Sequence, residues 1–248
     1  MDHAECKRIL PEAETAYLFI HGIVGTPRHF TPFLPFVPDN SSVWNLLLDG
    51  HGKGVTDFSA TSMNKWETQV QNAVDELSEN HSAIYIIAHS MGTLLSIEQA
   101  IRCPKIKGLF LLAVPLKLSI KPRLMSNCIK VYFDRIRPDD HWALAAKACY
   151  GIGRDRNLLK YLGWVPRYLE LFRKIRQTRS ILQNLCTPCS VYQSAKDEMV
   201  SIRSLDLLRK NPHMDIHTLE HAGHFYYPED TLNFLKEEFQ AYFDQGGI

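Results

Sequence analysis

The sequence contains 248 residues, of which 45% are hydrophobic and 22% charged, so it is long and apolar enough to form one substantial core. Its formal net charge of +1 gives no overall attraction to nucleic acid, and it contains no RNA-binding or zinc-finger motif, so a small neutral or lipid-like substrate fits better. The N-terminus lacks an uninterrupted apolar signal segment and no later stretch reaches membrane-spanning length, so we expect a soluble, cytoplasmic protein.

Six short apolar runs bounded by turn residues are predicted to form buried strands. In chain order they are Ala16–Ile20, Val43–Leu48, Ala83–Ala88, Leu109–Val114, Ser190–Gln193 and Ile216–Leu219. Helix-like segments lie between several of them, notably Lys65–Leu77, Thr93–Ile101, Leu205–Lys210 and Thr231–Phe243. This alternation predicts an α/β fold with a mostly parallel central sheet, flanked by helices and joined by right-handed crossovers.

The alternation stops between Pro115 and Leu185, a stretch with helical periodicity that is too long to be a plain loop. We therefore expect a single domain over residues 1–248, with a helical cap of about residues 115–185 inserted between the late strands. The end of the cap predicts an amphipathic helix with a break near Thr178. Its predicted apolar face consists of Val165, Leu169, Phe172, Ile175, Leu182 and Leu185.

The cap is strongly basic. Residues 117–183 contain 15 Lys and Arg against 5 Asp and Glu, a local charge of +10 that leaves −9 for the rest of the chain. One interpretation is an interfacial face that makes weak contact with anionic lipid or attracts an acidic substrate. The other, which the sequence favours, is an ordinary solvated helix surface. The sequence carries no signal for an oligomeric state.

Cys186 and Cys189 form a C-x-x-C pattern of the kind that occurs in redox and metal sites. A metal site would need a second ligand pair at matching spacing, and none is evident. The other four cysteines are scattered, which is typical of small apolar residues in a reducing compartment. We therefore expect neither a metal site nor a disulfide framework.

The strongest chemical signal is Ala88-His89-Ser90-Met91-Gly92, which lies between a predicted strand and a predicted helix. A serine at such a turn adopts a strained backbone that projects its Oγ from the sheet, so small residues are needed two positions before and after it. Ala88 and Gly92 meet that need. The N-terminus of the following helix also directs its positive dipole end at a developing oxyanion. Ser90 is therefore the candidate nucleophile.

A second part of the site is predicted after the first strand, in the segment His21-Gly22-Ile23-Val24-Gly25. Its glycines allow tight backbone turns beside the nucleophile. The backbone N–H groups of Ile23 and Met91 are then the candidate oxyanion hole. We expect His21 to have a structural, hydrogen-bonded role.

The partners of Ser90 follow from the chain order Ser, acid, His that accompanies a strand–serine–helix turn of this kind. Asp197 follows one late strand and His224 follows the next. Asp197 ranks above Glu198 because it comes first after the turn and precedes an apolar anchor, and His221 is the main rival base. In this arrangement Asp197 would orient His224, which would take the Ser90 proton to form an acyl-enzyme that water then hydrolyses.

Together the segments HGIVGTP, DGHGKG, AHSMG, AKDEMV and HAGHFYYPE resemble the carboxylesterase and monoacylglycerol-lipase branch of the α/β-hydrolases, from about Ala16 to the C-terminus. The resemblance implies a triad of Ser90, Asp197 and His224, an oxyanion hole at Ile23 and Met91, and no metal or organic cofactor. It also implies a small-molecule ester substrate, either a short-to-medium acyl ester or a monoglyceride. The chain departs from the family pattern at Ala88, at Asp49 and in the Arg-rich cap, which puts the substrate in doubt.

The sequence leaves one alternative to an esterase open and argues against two others. The same triad could hydrolyse thioesters or C–C bonds, or transfer an acyl group to an acceptor other than water. A binding protein on this scaffold would usually have lost a triad residue, so the complete set argues against it. Epoxide hydrolases and dehalogenases would have Asp in place of Ser90.

Overall fold

The computed structural model describes residues 3–244. Its strands are β1 (Cys6–Arg8), β2 (Thr15–Ile20), β3 (Ser42–Leu46), β4 (Ala83–His89), β5 (Ile106–Leu112), β6 (Cys189–Ser194) and β7 (Met214–Leu219). Its α-helices are α1 (Val55–Ala60), α2 (Met63–Asn80), α3 (Met91–Arg102), α4 (Pro122–Phe133), α5 (His141–Cys149), α6 (Val165–Ile181), α7 (Leu205–Leu208) and α8 (Glu229–Asp244). Short 3₁₀ helices cover Pro27–Phe30, Leu34–Phe36, Leu158–Trp164, Leu182–Asn184 and Ile202–Ser204.

The strands form one seven-stranded sheet in the order β1-β3-β2-β4-β5-β6-β7. Every neighbouring pair is parallel except the edge pair, in which β1 runs antiparallel to β3. The predicted α/β class with a mostly parallel sheet is therefore confirmed. The sequence analysis missed β1 because its three residues are all exposed and carry no apolar run, so only pairing with β3 defines it.

The sheet separates two hydrophobic cores, because successive side chains on a strand point to opposite faces. On β2, Leu18 and Ile20 belong to the core that α2 and α3 cover. Tyr17 and Phe19 belong to the other core, which is closed by Phe239 of α8. Both faces are buried, which explains why the central strands consist of continuous apolar runs.

The turn between β4 and α3 has the strained geometry that its sequence predicts. Ser90 has φ 52° and ψ −123°, outside the regions that residues with a side chain normally adopt. Its N–H donates to the Leu112 carbonyl at 2.9 Å, which holds the turn against the end of β5. Gly92 lies where α3 passes under the end of β2, and a Cβ there would be 2.8 Å from the His21 carbonyl oxygen. The turn between β4 and α3 therefore depends on the absence of a side chain at Gly92.

Between β5 and β6 the chain leaves the sheet and forms α4, α5 and α6, which is the predicted helical cap between late strands. The predicted break near Thr178 is wrong, because α6 continues to Ile181. The Thr178 hydroxyl donates to the Lys174 carbonyl at 3.0 Å, so it is satisfied inside the helix and does not interrupt it.

The predicted apolar face of α6 is also wrong in its first half. Val165, Leu169 and Phe172 are exposed, whereas Leu171, Lys174, Ile175 and Thr178 are the buried residues of the helix. The reason is Lys174, whose ammonium pairs with Glu67 at 2.7 Å and with Glu98. A buried charge is tolerated when it is paired, so a lysine shares the buried side of α6 with Leu171 and Ile175, which the pattern of apolar residues alone does not predict.

No helix within residues 3–244 combines the length and the apolar character that crossing a membrane requires.

We predict that Gly92→Ala destabilises the protein by about 3 kcal/mol, because the new methyl group would collide with backbone oxygen atoms that cannot rotate away. Urea denaturation measures this loss. Gly153→Ala is the matched control, since Gly153 lies in an exposed loop where the nearest atom to a Cβ is 3.3 Å away. Equal midpoints for the two variants would contradict the prediction.

Candidate active site

Ser90, Asp197 and His224 meet at the carboxyl edge of the sheet. Ser90 directly follows β4, Asp197 comes after β6 and His224 comes after β7. Parallel strands end at a common edge, which is where open α/β sheets place their sites. All three side chains are buried, with exposed fractions of 5%, 0% and 1%.

Asp197 is fixed by hydrogen bonds to both of its carboxylate oxygens. Its Oδ2 atom accepts the Nδ1–H of His224 at 2.8 Å. Its Oδ1 atom accepts backbone N–H bonds from Met199 at 2.7 Å and from Val200 at 2.8 Å. The carboxylate is therefore aimed at the ring, and a His224 that donates from Nδ1 has its Nε2 atom available to accept a proton.

The electrostatic surroundings favour the protonated form of His224. Burial lowers its pKa, but the Asp197 charge, the hydrogen bond to Asp197 and the Glu198 charge more than offset burial and raise the pKa above 6.5. Two other buried histidines lie close by, and burial and the neighbouring imidazoles lower the pKa of His29 to about 3 and lower that of His89. At neutral pH His29 and His89 are therefore uncharged.

Within residues 3–244, the Ser90 hydroxyl makes no hydrogen bond to the His224 ring. In the part of the chain that the structure describes, the His224 ring makes its hydrogen bond to Asp197 alone. Catalytic hydrogen bonds are often long or poorly aligned until substrate binds. Proton transfer between Ser90 and His224 would therefore require the hydroxyl to close on Nε2.

His89 joins the two halves of the site, a role that the sequence analysis did not assign. Its ring lies 4.6 Å from the His224 ring, and its Nε2–H donates to the His224 carbonyl at 2.9 Å. On its other side it stacks on His29 with a centroid distance of 4.0 Å. In the sequence, only the position of His89 next to Ser90 pointed to the site. That position does not reveal its contact with His224, which lies 135 residues later in the chain.

Glu198 is the second residue whose role the sequence analysis missed. Its side chain is buried, and its Oε2 atom accepts the backbone N–H of His224 at 3.0 Å. Asp197 thus holds the ring of His224 while Glu198 holds its backbone. The sequence presented Asp197 and Glu198 as alternatives, but in the structure both carboxylates bind His224.

The two predicted oxyanion-hole segments lie against Ser90. Gly22 precedes Ile23 in a tight turn, and a Cβ on Gly22 would be 2.8 Å from the Ser90 Cβ. Met91 begins α3, and an N–H in the first turn of a helix has no acceptor within that helix. Their role as donors to a substrate oxyanion stays a prediction.

The other histidines considered from the sequence occupy structural positions. His21 bonds through Nδ1 to the Gly22 carbonyl at 2.9 Å and accepts the Leu48 N–H on Nε2 at 3.1 Å. His221 is exposed, with Nδ1 3.4 Å from Lys196 Nζ. The fold therefore brings His224, and not His221, to Asp197.

The cap contacts each loop that carries the site. The Gly151 N–H donates to the Val24 carbonyl at 2.9 Å, and the Lys121 N–H donates to the Glu198 carbonyl at 3.0 Å. The Trp142 ring packs so closely on Gly223 that a Cβ there would overlap it. Gly223 is therefore needed for this close approach directly before His224.

The C-x-x-C pair does not resemble a metal site in the structure. Cys186 is exposed and Cys189 is buried, and both are free thiols. Burial raises the pKa of Cys189, and its thiol donates to the Thr187 carbonyl at 3.1 Å. Residues 3–244 contain no group of three or more metal-ligating side chains.

The chain is similar in sequence and in fold to known hydrolases. Residues 17–235 match the model of the alpha/beta hydrolase family. A thermostable monoacylglycerol lipase from Bacillus sp. (strain H-257) is 23% identical over 198 residues, covering 77% of this chain and 74% of the lipase. A solved metagenome-derived lipolytic enzyme has a similar fold, with a TM-score of 0.73 and 17% identity over 98% of each chain. A monoacylglycerol lipase from Paleococcus ferrophilus has a TM-score of 0.67 and 17% identity over 97% of this chain and 98% of its own.

We predict that Glu198→Gln lowers the pKa of His224, because the variant loses a nearby negative charge but keeps an oxygen that accepts the His224 N–H. An NMR titration of the His224 ring measures the shift. Glu220→Gln removes the same charge from an exposed position in the loop that precedes His224 and should leave the titration unchanged. An unshifted titration in Glu198→Gln would contradict the prediction.

Proposed function

Because the chain belongs to the alpha/beta hydrolase family, we propose that this hydrolase cleaves carboxylic esters through an acyl-enzyme on Ser90. The observation that carries the proposal is the buried hydrogen bond of 2.8 Å between Asp197 and His224, next to a serine with a positive φ of 52°. A histidine oriented by a carboxylate, near a serine hydroxyl at the end of a strand, is the arrangement that nucleophilic acyl transfer requires.

The proposed reaction begins when His224 Nε2 takes the proton of the Ser90 hydroxyl as its Oγ attacks the ester carbonyl carbon. The resulting imidazolium is stabilised by the Asp197 carboxylate, and collapse of the tetrahedral intermediate transfers that proton to the departing alcohol. Water then attacks the acyl-enzyme with His224 again as the base. The acid is released and Ser90 regains its proton.

The backbone N–H groups of Ile23 and Met91 are proposed to stabilise the negative charge on the carbonyl oxygen. Each such donor is commonly worth about 2.7–4 kcal/mol in the transition state. The position of Met91 at the start of α3 supports its role, because the helix dipole adds positive potential there.

We propose short-to-medium acyl esters or monoglycerides as substrates. Two of the similar proteins are described as monoacylglycerol lipases, which supports the glyceride end of this range. Lys121, Trp142 and Gly151, in the part of the cap around α4 and α5, touch the loops around Ser90 and would form part of the acyl-binding wall.

We expect wild-type protein to hydrolyse p-nitrophenyl esters of graded chain length, and Ser90→Ala to lose at least about 10⁴-fold in kcat, because no other group can form the acyl-enzyme. Ser96→Ala is a matched control, since Ser96 is a buried serine of α3 whose hydroxyl donates to the Gly92 carbonyl at 2.8 Å. Absence of ester turnover in wild type would refute the proposal. Turnover that survives in Ser90→Ala would refute the assignment of the nucleophile, which fluorophosphonate labelling and peptide mapping would then relocate.

We also expect kcat/KM to fall at acidic pH with a midpoint above 6.5, because protonated His224 cannot act as a base and its pKa is raised above that value. Asp197→Asn should move this midpoint to lower pH and reduce kcat by roughly 10⁴-fold. A pH profile of initial rates in both proteins tests this, and a midpoint that is unchanged in Asp197→Asn would disprove the coupling.

A further inference from the structure

The structure exposes a row of large apolar side chains on the cap. On α6, Val165, Leu169 and Phe172 follow one another at steps of four and three, the spacing that keeps side chains on one side of an α-helix. Leu158 and Leu162 lie in the 3₁₀ helix that leads into α6. In chain order, the exposed fractions of these five residues are 65%, 65%, 51%, 49% and 42%. We call this row the apolar stripe. Single exposed apolar residues are ordinary, whereas a contiguous row marks an interaction surface.

The rest of the cap adds to this apolar surface. Met125, Ile129 and Phe133 form an exposed row on α4 at steps of four residues. Tyr132 of α4 contacts Tyr161 with ring centroids 6.2 Å apart. The end of α4 therefore lies beside the 3₁₀ helix that carries Leu158 and Leu162. Twelve of the fifteen large hydrophobic side chains that the described residues expose lie between positions 118 and 172. The exposed apolar area is thus concentrated on the cap.

Two arginines share the exposed side of α6 with the apolar stripe. Arg173 and Arg176 lie four and seven residues after Leu169, which places them on the same helix face. Both are exposed, and neither has a carboxylate within salt-bridge distance among residues 3–244. Lys174, between them in sequence, instead points inward to Glu67 and Glu98. The unpaired cations of α6 therefore lie beside its unpaired apolar residues.

We propose that the apolar stripe, together with Arg173 and Arg176, docks this protein on the surface of an anionic lipid bilayer. Apolar side chains of an interfacial helix enter the boundary between headgroups and acyl chains, while arginines bind lipid phosphate. The local charge of +10 over residues 117–183 attracts such a surface. The apolar stripe and the two arginines lie on the surface of the folded cap, so the proposed contact is peripheral. It does not depend on the chemistry proposed for Ser90.

Charge argues against a second copy of the chain as the symmetric partner of this surface. A two-fold dimer through the apolar stripe would bring two segments of +10 together, and like charges across an interface oppose association. An anionic bilayer supplies both the apolar layer and the opposite charge.

The test is co-sedimentation of the full-length protein with sucrose-loaded phosphatidylcholine vesicles, with and without phosphatidylglycerol, at low and raised salt. We expect strong binding only to the anionic vesicles and weaker binding as salt screens the charges. Leu169→Ser combined with Phe172→Ser should reduce the partition coefficient by roughly tenfold, because two apolar side chains no longer enter the interface.

Arg173→Gln combined with Arg176→Gln should reduce the preference for anionic vesicles by about fivefold per arginine. Arg209→Gln combined with Lys210→Gln is the charge-matched control, because these exposed cations lie outside the cap. Phe36→Ser is the apolar control, since Phe36 is 37% exposed and also lies outside the cap. Both controls should bind like wild type.

Three results would overturn the proposal. These are equal binding to neutral and anionic vesicles, no binding to either, or a dimer in sedimentation velocity that the Leu169→Ser and Phe172→Ser variant dissociates. The last result would assign the surface to a second copy. Turnover of a soluble ester is followed in every variant, and we expect it to be unchanged. Loss of ester turnover in wild type would refute the proposed function while the vesicle result still stands.

Discussion

The hydrogen bond between Asp197 and His224 sets the requirements for the rest of the site. Both side chains are almost completely buried, so their carboxylate oxygens and the backbone groups around them need partners inside the fold. The backbone N–H groups of Met199 and Val200 satisfy one carboxylate oxygen, Glu198 accepts the His224 N–H, and His89 donates to the His224 carbonyl. The loops that carry Asp197 and His224 and the turn at Ser90 are thereby held as one unit, and the charges of Asp197 and Glu198 raise the pKa of His224.

Such a compact site requires backbone segments to approach more closely than side chains allow. Gly22 lets the turn before Ile23 lie on Ser90, Gly92 lets α3 pass under the end of β2, and Gly223 lets Trp142 of the cap pack beside His224. Each of these contacts involves a different pair of elements. These three glycines, which have no Cβ, thus allow the sheet, α3 and the cap to pack closely around the site.

In the cap, Lys174 is buried between Glu67 and Glu98. It lies on the buried side of α6 together with Leu171 and Ile175, while Leu169 and Phe172 are exposed beside Arg173. The sequence alone favoured a solvated basic surface. The structure combines that charge with an apolar row, and this combination is what an interfacial docking surface requires.

The sequence by itself determined the α/β class, the central strands, the turn at Ser90, and the chain order that selects Asp197 and His224. These features are encoded locally, in apolar runs, in small residues flanking a serine and in the order of motifs. Only the tertiary structure decided the edge strand β1, the contacts of Glu198 and His89 with His224, and the buried face of α6. Each of these depends on a partner far away in sequence, and neither periodicity nor composition shows which distant charge or backbone group will be near once the chain has folded.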